Sequence, residues 1–459
     1  MSRSNNFPKG IPYIIGNEAA ERYSFYGMKA IFVVFLTMFI RNASGELAIF
    51  DETDAKFWLH IFIFATYGFS LAGAFVSDVY WGKYRTIITL SIVYCIGHFV
   101  LALIETKTGF LIGCSLIAIG AGGIKPCVSA HVGDQFDSTN SHLIEKMYNW
   151  FYFAINAGSF IAYISAEALL RNEYLVSKGL NATVAFGLPG LLMLIATIVF
   201  WMGRKKFVHV PPAGRTLYAK ELFSKKGRDL ILRLAPIYIF LAVFWSLFDQ
   251  TGGAWVIQAQ SDLMIKTMNF GFTTITIYPS QIGFINPIFI LIFIPIFAYV
   301  VYPNLGKLIK LNYINKIAIG LLLAALSFAI IAWVQLQMDN GIAMNVAWQI
   351  AAYFVLTAAE IFVSISSLEF SYTQAPNSMK SLVLSFWLIA VAIGNLFTAL
   401  VNLFMKKADG SLLLNGADYF WFFTALMLLA AILFYLINRK FEEKHYIQSI
   451  ETNSNEKQF

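Results

Sequence analysis

Twelve stretches of this chain are each long and apolar enough to cross a lipid bilayer, and no other feature narrows its possible folds as far. A spanning helix needs about 20 mostly apolar residues, because the hydrocarbon core offers no water to a bare backbone. The stretches are 11–40, 55–81, 85–104, 109–132, 145–170, 183–203, 230–258, 276–302, 314–336, 345–374, 380–405 and 417–438. Of all residues 58% are hydrophobic and 13% charged, against roughly 25% charged in ordinary soluble domains. That balance excludes a soluble globular enzyme, a disordered chain and a nucleic-acid binder. Cys95, Cys114 and Cys127 all sit in apolar stretches and read as buried free thiols. The opening MSRSNNFPKG has no small-residue cleavage site behind a short apolar core, so no removable signal peptide is expected.

An even number of spans puts both termini on one side. If that side is the cytoplasm, 21 of the 33 Lys and Arg fall in inside segments and 8 outside. Arg22, Lys29, Lys125 and Arg233 lie within spans. This bias predicts cytoplasmic termini, and it accounts for the net charge of +7 without an anionic partner. The longest connection, 204–229, is basic, holds Pro211, Pro212 and Gly214, and comes after the sixth span. The predicted organisation is a six-helix bundle over 1–203, a cytoplasmic linker over 204–229, a second six-helix bundle over 230–438 and a polar, disordered cytoplasmic tail over 439–459. Such an all-α membrane protein has the layout of the major facilitator superfamily, in which substrate binds between the halves near the midplane. No soluble domain is expected.

Eight ionisable residues lie well inside the spans: Glu18, Glu21, Arg22, Lys29, Lys125, Arg233, Asp249 and Glu360. Each costs about 2.5–3.5 kcal/mol near the bilayer centre. Unpaired, the set would cost roughly 20–28 kcal/mol, more than a marginally stable fold can carry. Four are acidic and four basic, so a polar cavity between the halves accommodates them; static ion pairs bracing the helices are the plainer alternative. On the first helix, Glu18, Glu21, Arg22, Phe25, Tyr26 and Lys29 fall within about 140° of arc at 3.6 residues per turn. His60, Tyr67 and Asp78 recur along the second helix. The fifth carries Asn149, Tyr152, Asn156, Ser159, Tyr163 and Glu167 within about 80°. The tenth aligns Glu360, Ser364, Ser367 and Ser371, with Glu369 opposite. Gly120–Cys127 reads GAGGIKPC, where glycines allow close helix approach and Pro126 removes a backbone hydrogen bond beside Lys125.

At these residues the chain resembles the proton-dependent oligopeptide transporter family of the major facilitator superfamily. Glu18-Ala-Ala-Glu21-Arg22 matches the family's ExxER motif and leads directly into YSFYGMK. Gly73–Thr86 reads GAFVSDVYWGKYRT, the loop after the second helix. GGIKPCVSAHVGDQF, FYFAINAGS, FWSLFDQTGGAW and EIFVSISSLEFSYTQAPNSMKS come next, in order. The resemblance covers nearly the whole chain. Lys29 stands where arginine is usual, Phe25 where tyrosine is usual and Ser367 where glycine is frequent. Animal members pair an arginine on helix 7 with an aspartate on helix 8; Arg233 is present here, but Ala298 takes the aspartate's place.

The resemblance implies a proton-coupled symporter of di- and tripeptides working by alternating access as a monomer, with the proton as coupling ion and no cofactor. It implies that Arg22, Lys29 and Lys125 receive the peptide carboxylate. Glu360 and Asn156 would receive the ammonium, and Tyr26, Tyr67, Trp245 and Ser364 would line the pocket. Glu18, Glu21, Arg22, Lys125, His60 and Asp249 would couple the proton, and Asp78 and Arg233 would gate. For His60 a packed, hydrogen-bonded histidine is the alternative; for Asp249, a cap beside a break at Gly252-Gly253. The partners implied are peptides, protons and the bilayer, in a cell inner or plasma membrane, without nucleic acid. Competing readings are the same machine carrying nitrate or another small anion, and a transport-inactive receptor or scaffold. No HExxH or GxSxG motif supports an intramembrane enzyme.

Overall fold

The computed structural model describes residues 6–137, 140–212, 214, 224–269, 271, 273–374, 380–407 and 411–438. The tail 439–459 and linker residues 215–223 lie outside the described residues. Among the described residues, twelve helices carry the fold. The first six are α1 (Ile11–Met38), α2 (Glu52–Val76), α3 (Lys83–Leu103), α4 (Lys107–Gly133), α5 (Ile144–Leu170) and α6 (Asn181–Met202). The second six are α7 (Lys225–Phe248), α8 (Ile285–Ile296), α9 (Tyr313–Asp339), α10 (Ala347–Glu360), α11 (Lys380–Phe404) and α12 (Ala417–Asn438). Among the described residues, 11 helical segments are long and apolar enough to cross a membrane. The exception is α1, which carries Glu18, Glu21, Arg22 and Lys29. The chain is a multi-pass membrane protein.

Each half packs around its own apolar core. One gathers Phe32, Phe35, Phe110 and Phe186; the other gathers Trp255, Phe328, Phe423 and Phe434. Within the first half α1 packs on α5 and α6, α3 on α4 and α6, and α2 on α4. Within the second, α9 packs on α10 and α12, and α7 on α11. The halves meet where α2 lies against α11 and α5 against α8. Glycine sets one crossing: a Cβ on Gly122 would lie 2.1 Å from the Thr66 carbonyl oxygen, and one on Gly73 would lie 2.3 Å from the Cα of Gly123. The backbones of α2 and α4 therefore touch, as small residues permit in membranes. Pro126 does not break α4, which runs on to Gly133.

Four of the long helices do not continue in simple α geometry. α2 ends in a π-turn at Ser77–Trp81, α8 passes into one at Phe297–Val301, and α10 passes into one at Ile361–Ile365 before resuming as Ser366–Gln374. α7 tightens to a 3-10 turn at Asp249–Gly252 and resumes over Ala254–Gln260, so the break expected at the glycine pair is present. Short strands cap one end: β1 (Met264–Ile265) pairs in parallel with β4 (Met344–Asn345), and β2 (Thr267–Asn269) forms a hairpin with β3 (Thr274–Thr276). The α1–α2 and α3–α4 loops meet there through a bridge from Arg41 to Thr106. Loops expected on the outside thus share one end. All three cysteines are free and buried.

Candidate functional site

A cavity of ≈ 170 Å³ lies between the halves and takes its walls from both. α1 supplies Tyr26 and Lys29, α2 supplies Tyr67, and α5 supplies Tyr152, Asn156, Ser159 and Tyr163. The other half supplies Trp245, Asp249, Asn286, Tyr353 and Glu360. The aromatic wall is fixed by ring contacts, with Trp245 set edge-on to Trp387 at 5.7 Å and to Phe248 at 5.2 Å. Glu360 accepts a hydrogen bond from the Asn286 amide at 2.7 Å, and the same amide reaches Thr357 at 3.2 Å. Asn156, on the facing wall, donates to the Tyr152 carbonyl at 2.9 Å. The anionic end of the cavity is therefore a carboxylate with one firm donor and an amide side chain nearby, which suits an ammonium.

The ExxER cluster sits beside this cavity without lining it. Arg22 Nε lies 2.8 Å from Glu18 Oε1 and 2.7 Å from Glu21 Oε2. Only the first contact has hydrogen-bond geometry, and both Glu21 oxygens lack a hydrogen-bond partner among the described residues. Glu21 is 0% exposed. It faces the interior of the first bundle rather than the cavity, which corrects the single-stripe expectation: the 140° arc is wider than the cavity. Lys125 does not pair with either glutamate. Its ammonium lies 4.1 Å from the Phe25 ring centre and 5.6 Å from that of Tyr67, without a hydrogen-bond partner among the described residues. Both rings attract a cation through their faces.

A second charged cluster closes one end. Lys29 Nζ donates to Asp249 Oδ1 at 2.6 Å, Asn395 donates to Asp249 Oδ2 at 2.8 Å, and the Asn395 carbonyl oxygen lies 2.8 Å from His60 Nδ1. This chain of contacts joins α1 and α2 to α7 and α11. Further bonds at the same end tie Glu167 to the Ser280 amide at 2.6 Å and the Gln281 amide to the Ile164 carbonyl at 2.7 Å. At the rim, Lys406 pairs with Asp51 and, at 3.0 Å, with Asp54. Asp51 also caps α2 through the Thr53 and Asp54 amides. Partial burial is the largest influence on the Asp51 carboxyl and raises it, but Lys406 and the capping amides together hold it below its ordinary range.

Several predicted residues move from their expected places. Lys29, expected on the peptide carboxylate, is held by Asp249, so it closes the mouth here. Ser364 leaves the cavity because the π-turn after Glu360 inserts an extra residue and rotates the helix beyond it. Ser367 and Ser371 then face their own bundle, where Ser367 accepts from the Trp387 indole at 2.9 Å and Ser371 from Tyr238 at 3.0 Å. Glu167 serves the seal through Arg171 and Ser280, and Asn149 is exposed. Lys83, nearest cation to Asp78 in the loop, pairs with Asp134 at 2.6 Å, while the Asp78 carbonyl accepts from the Gly214 amide of the linker. Arg233 is partly buried on α7, and Ala298 is exposed. Asn286 and Asn395 carry no motif and go unmarked by sequence reasoning, although Asn286 is a lone amide in the apolar α8 and Asn395 one of two in α11, visible as such.

The description "POT family" belongs to the family model that matches residues 84–223 and 218–422. Peptide transporter family 1 of Drosophila melanogaster is 34% identical over 73% of this chain and 48% of its own length. Solute carrier family 15 member 2 of Homo sapiens is 33% identical over 73% of this chain and 50% of its own. The chain belongs to the POT family. It spans about half the length of the curated relatives it matches. The crystal structure of the POT family transporter PepTSo superposes with a TM-score of 0.83 at 33% identity, covering 95% of this chain and 98% of that one. An auto-inhibited POT family peptide transporter gives 0.81 at 31%, covering 96% and 99%. The twelve-helix arrangement is thus the major facilitator fold of POT transporters.

Proposed function

We propose that this POT family chain is a proton-coupled symporter that imports di- and tripeptides by alternating access. One observation carries the reading: a cavity between the halves has Glu360 on one wall and Lys29 on the other, with Lys125 resting against Phe25 and Tyr67, two rings that also line it. A peptide zwitterion would place its ammonium at Glu360 and Asn156 and its carboxylate toward Arg22 and Lys125. Tyr26, Tyr67 and Trp245 would hold its side chains. Lys29 would join the carboxylate only after leaving Asp249, when the mouth opens. Relatives that bear the name of peptide transporter support the cargo, and a glutamate in the cavity speaks against a plain anion such as nitrate.

Coupling rests on the two clusters. A proton on Glu21 or Glu18 would weaken its hold on Arg22 and free the guanidinium for the peptide carboxylate. A proton on Asp249 would loosen Lys29 and the His60–Asn395 link and let the mouth open. The proton is the coupling ion, and no cofactor is needed for these steps. The two bundles, 1–203 and 230–438, would rock about the cavity with 204–229 as their linker. Each chain holds a whole cavity, which supports a monomer. The charge bias supports cytoplasmic termini in a cell inner or plasma membrane, with the sealed end outside.

Counterflow of labelled dialanine in proteoliposomes tests the reading. Uptake into peptide-loaded vesicles without a pH gradient, and accumulation when one is imposed, are expected. Exchange of nitrate in place of dialanine would overturn the cargo, and accumulation indifferent to the gradient would overturn the coupling.

A further inference from the structure

A second polar cavity, of ≈ 470 Å³, opens at the sealed end and is again lined by both halves. Its size falls within the range of about 300–1,000 Å³ common for small-molecule sites. On one side stand Glu52 and Lys56 of α2; on the other stand Gln258, Asp262, Gln335 and Tyr419. Lys56 is 8% exposed, and its ammonium rests 4.4 Å from the centre of the Tyr419 ring across the interface. The neighbouring carboxylates Asp51 and Asp54 are taken by Lys406. Among the described residues no carboxylate forms an ion pair with Lys56. A largely buried ammonium that rests on an aromatic ring, with Glu52 one turn away but not paired to it, lacks the closely bound anion that burial of charge calls for.

The floor opposite Lys56 is rigid. Gln349 donates to Gln258 at 3.0 Å, Gln258 to Gln335 at 3.0 Å, and Gln335 to Asp339 at 2.9 Å. This amide chain fixes the side chains a ligand would meet. The cavity also carries Glu52 and Asp262, which would repel a simple anion from their side and attract an ammonium. A cation and a carboxylate on the α2 wall, with a second carboxylate on the facing wall, match a small molecule bearing both charges.

We infer that this outer vestibule is a second binding site, which takes small zwitterions of amino-acid to dipeptide size with the carboxylate on Lys56 and the ammonium toward Glu52 and Asp262. It rests on the transport reading only for the choice of probe. Because its walls come from both halves, the site exists only while the mouth is shut. A zwitterion bound there holds α2 against the Tyr419 wall and delays reopening. Uptake therefore falls again when external peptide rises far above saturation.

The test uses the full chain in lipid nanodiscs and proteoliposomes. Labelled dialanine should bind the parent at two sites per chain, and Lys56→Met at one. Lys56→Arg, which keeps the charge and the ring contact, should keep both. The decline of uptake at high dialanine should vanish in Lys56→Met with the half-saturating concentration unchanged. In Glu360→Gln the central site should weaken while the Lys56-dependent one remains, so failure of the transport reading and failure of the vestibule give different results. Dialanine should also shield Lys56 of the parent from reductive methylation, which needs no variant to fold. A single site in the parent, two sites in Lys56→Met, or no shielding would each overturn the inference and leave Lys56 as a latch on Tyr419.

Discussion

The two charged clusters of this protein differ in what holds them together. Arg22, Glu18 and Glu21 lie within one helix, so rocking of the halves leaves their spacing unchanged. Lys29 and Asp249 are 220 residues apart on different halves, and their contact must break each time the mouth opens. The first keeps its geometry in every conformation; the second reports which conformation the molecule is in. A buried pair across a moving interface is therefore a latch, while a buried cluster inside one helix is a switch that the latch does not reset.

Removing the switch should have the largest effect. Glu21→Gln is expected to bring gradient-driven dialanine accumulation down to the level of empty vesicles while counterflow survives, measured side by side in proteoliposomes. Full accumulation would take Glu21 out of the coupling. Breaking the latch comes next. Lys29→Ala leaves Asp249 buried without its cation, a loss of roughly 3–5 kcal/mol for the closed mouth. Spin labels placed across the outer rim should then show the open distance predominating, and Lys29→Arg should restore the closed one. An unchanged distance would mean that the seal rests on the remaining bonds.

A smaller effect is expected at the cavity's anionic end. Glu360→Gln should cost peptides with a free amino terminus about 1.5–3 kcal/mol, the scale of a charged hydrogen bond, and cost N-acetylated peptides less. Equal losses in a binding titration would assign Glu360 to structure. The smallest effect is at the rim. Lys406→Gln removes an exposed pair and should shift mouth closure by about 0.2–1 kcal/mol. Because Lys406 and the capping amides hold Asp51 below its ordinary value of 3.8, its contribution is complete above that value. It is lost as pH falls through the lowered one. The rim-label distance, tracked from neutral to acid, should show this loss in the parent and not in Lys406→Gln.

The helices and the two-half layout were legible because apolar runs of about 20 residues have no other stable home. The polar stripe on α1 was legible too, but its 140° arc could not say that Glu21 turns inward while Tyr26 and Lys29 face the cavity. Side-chain period assumes an unbroken helix, and the π-turn after Glu360 breaks it, which is why Ser364 lies elsewhere than its spacing predicts. The Lys29–Asp249 pair and the Asn286–Glu360 bond depend on how two bundles and their helices dock, 220 and 74 residues apart in the chain. No local pattern encodes that docking. Lys56 carries no sequence signal because it stands at the margin of its span, where a lysine ordinarily reaches water.

The π-turn at Ile361–Ile365 also bears on what the central cavity can be made to accept. A π-turn holds one residue more than the α-helical turn it replaces. Deleting a single residue there would turn everything below Glu360 by about 100°. That turn would re-aim the Ser364–Ser371 face and leave Glu360 and the upper helix where they are. The π-turn thus works as a dial: one codon lost there would bring the Ser364–Ser371 face round toward the cavity side of the helix while Glu360 stays where it is.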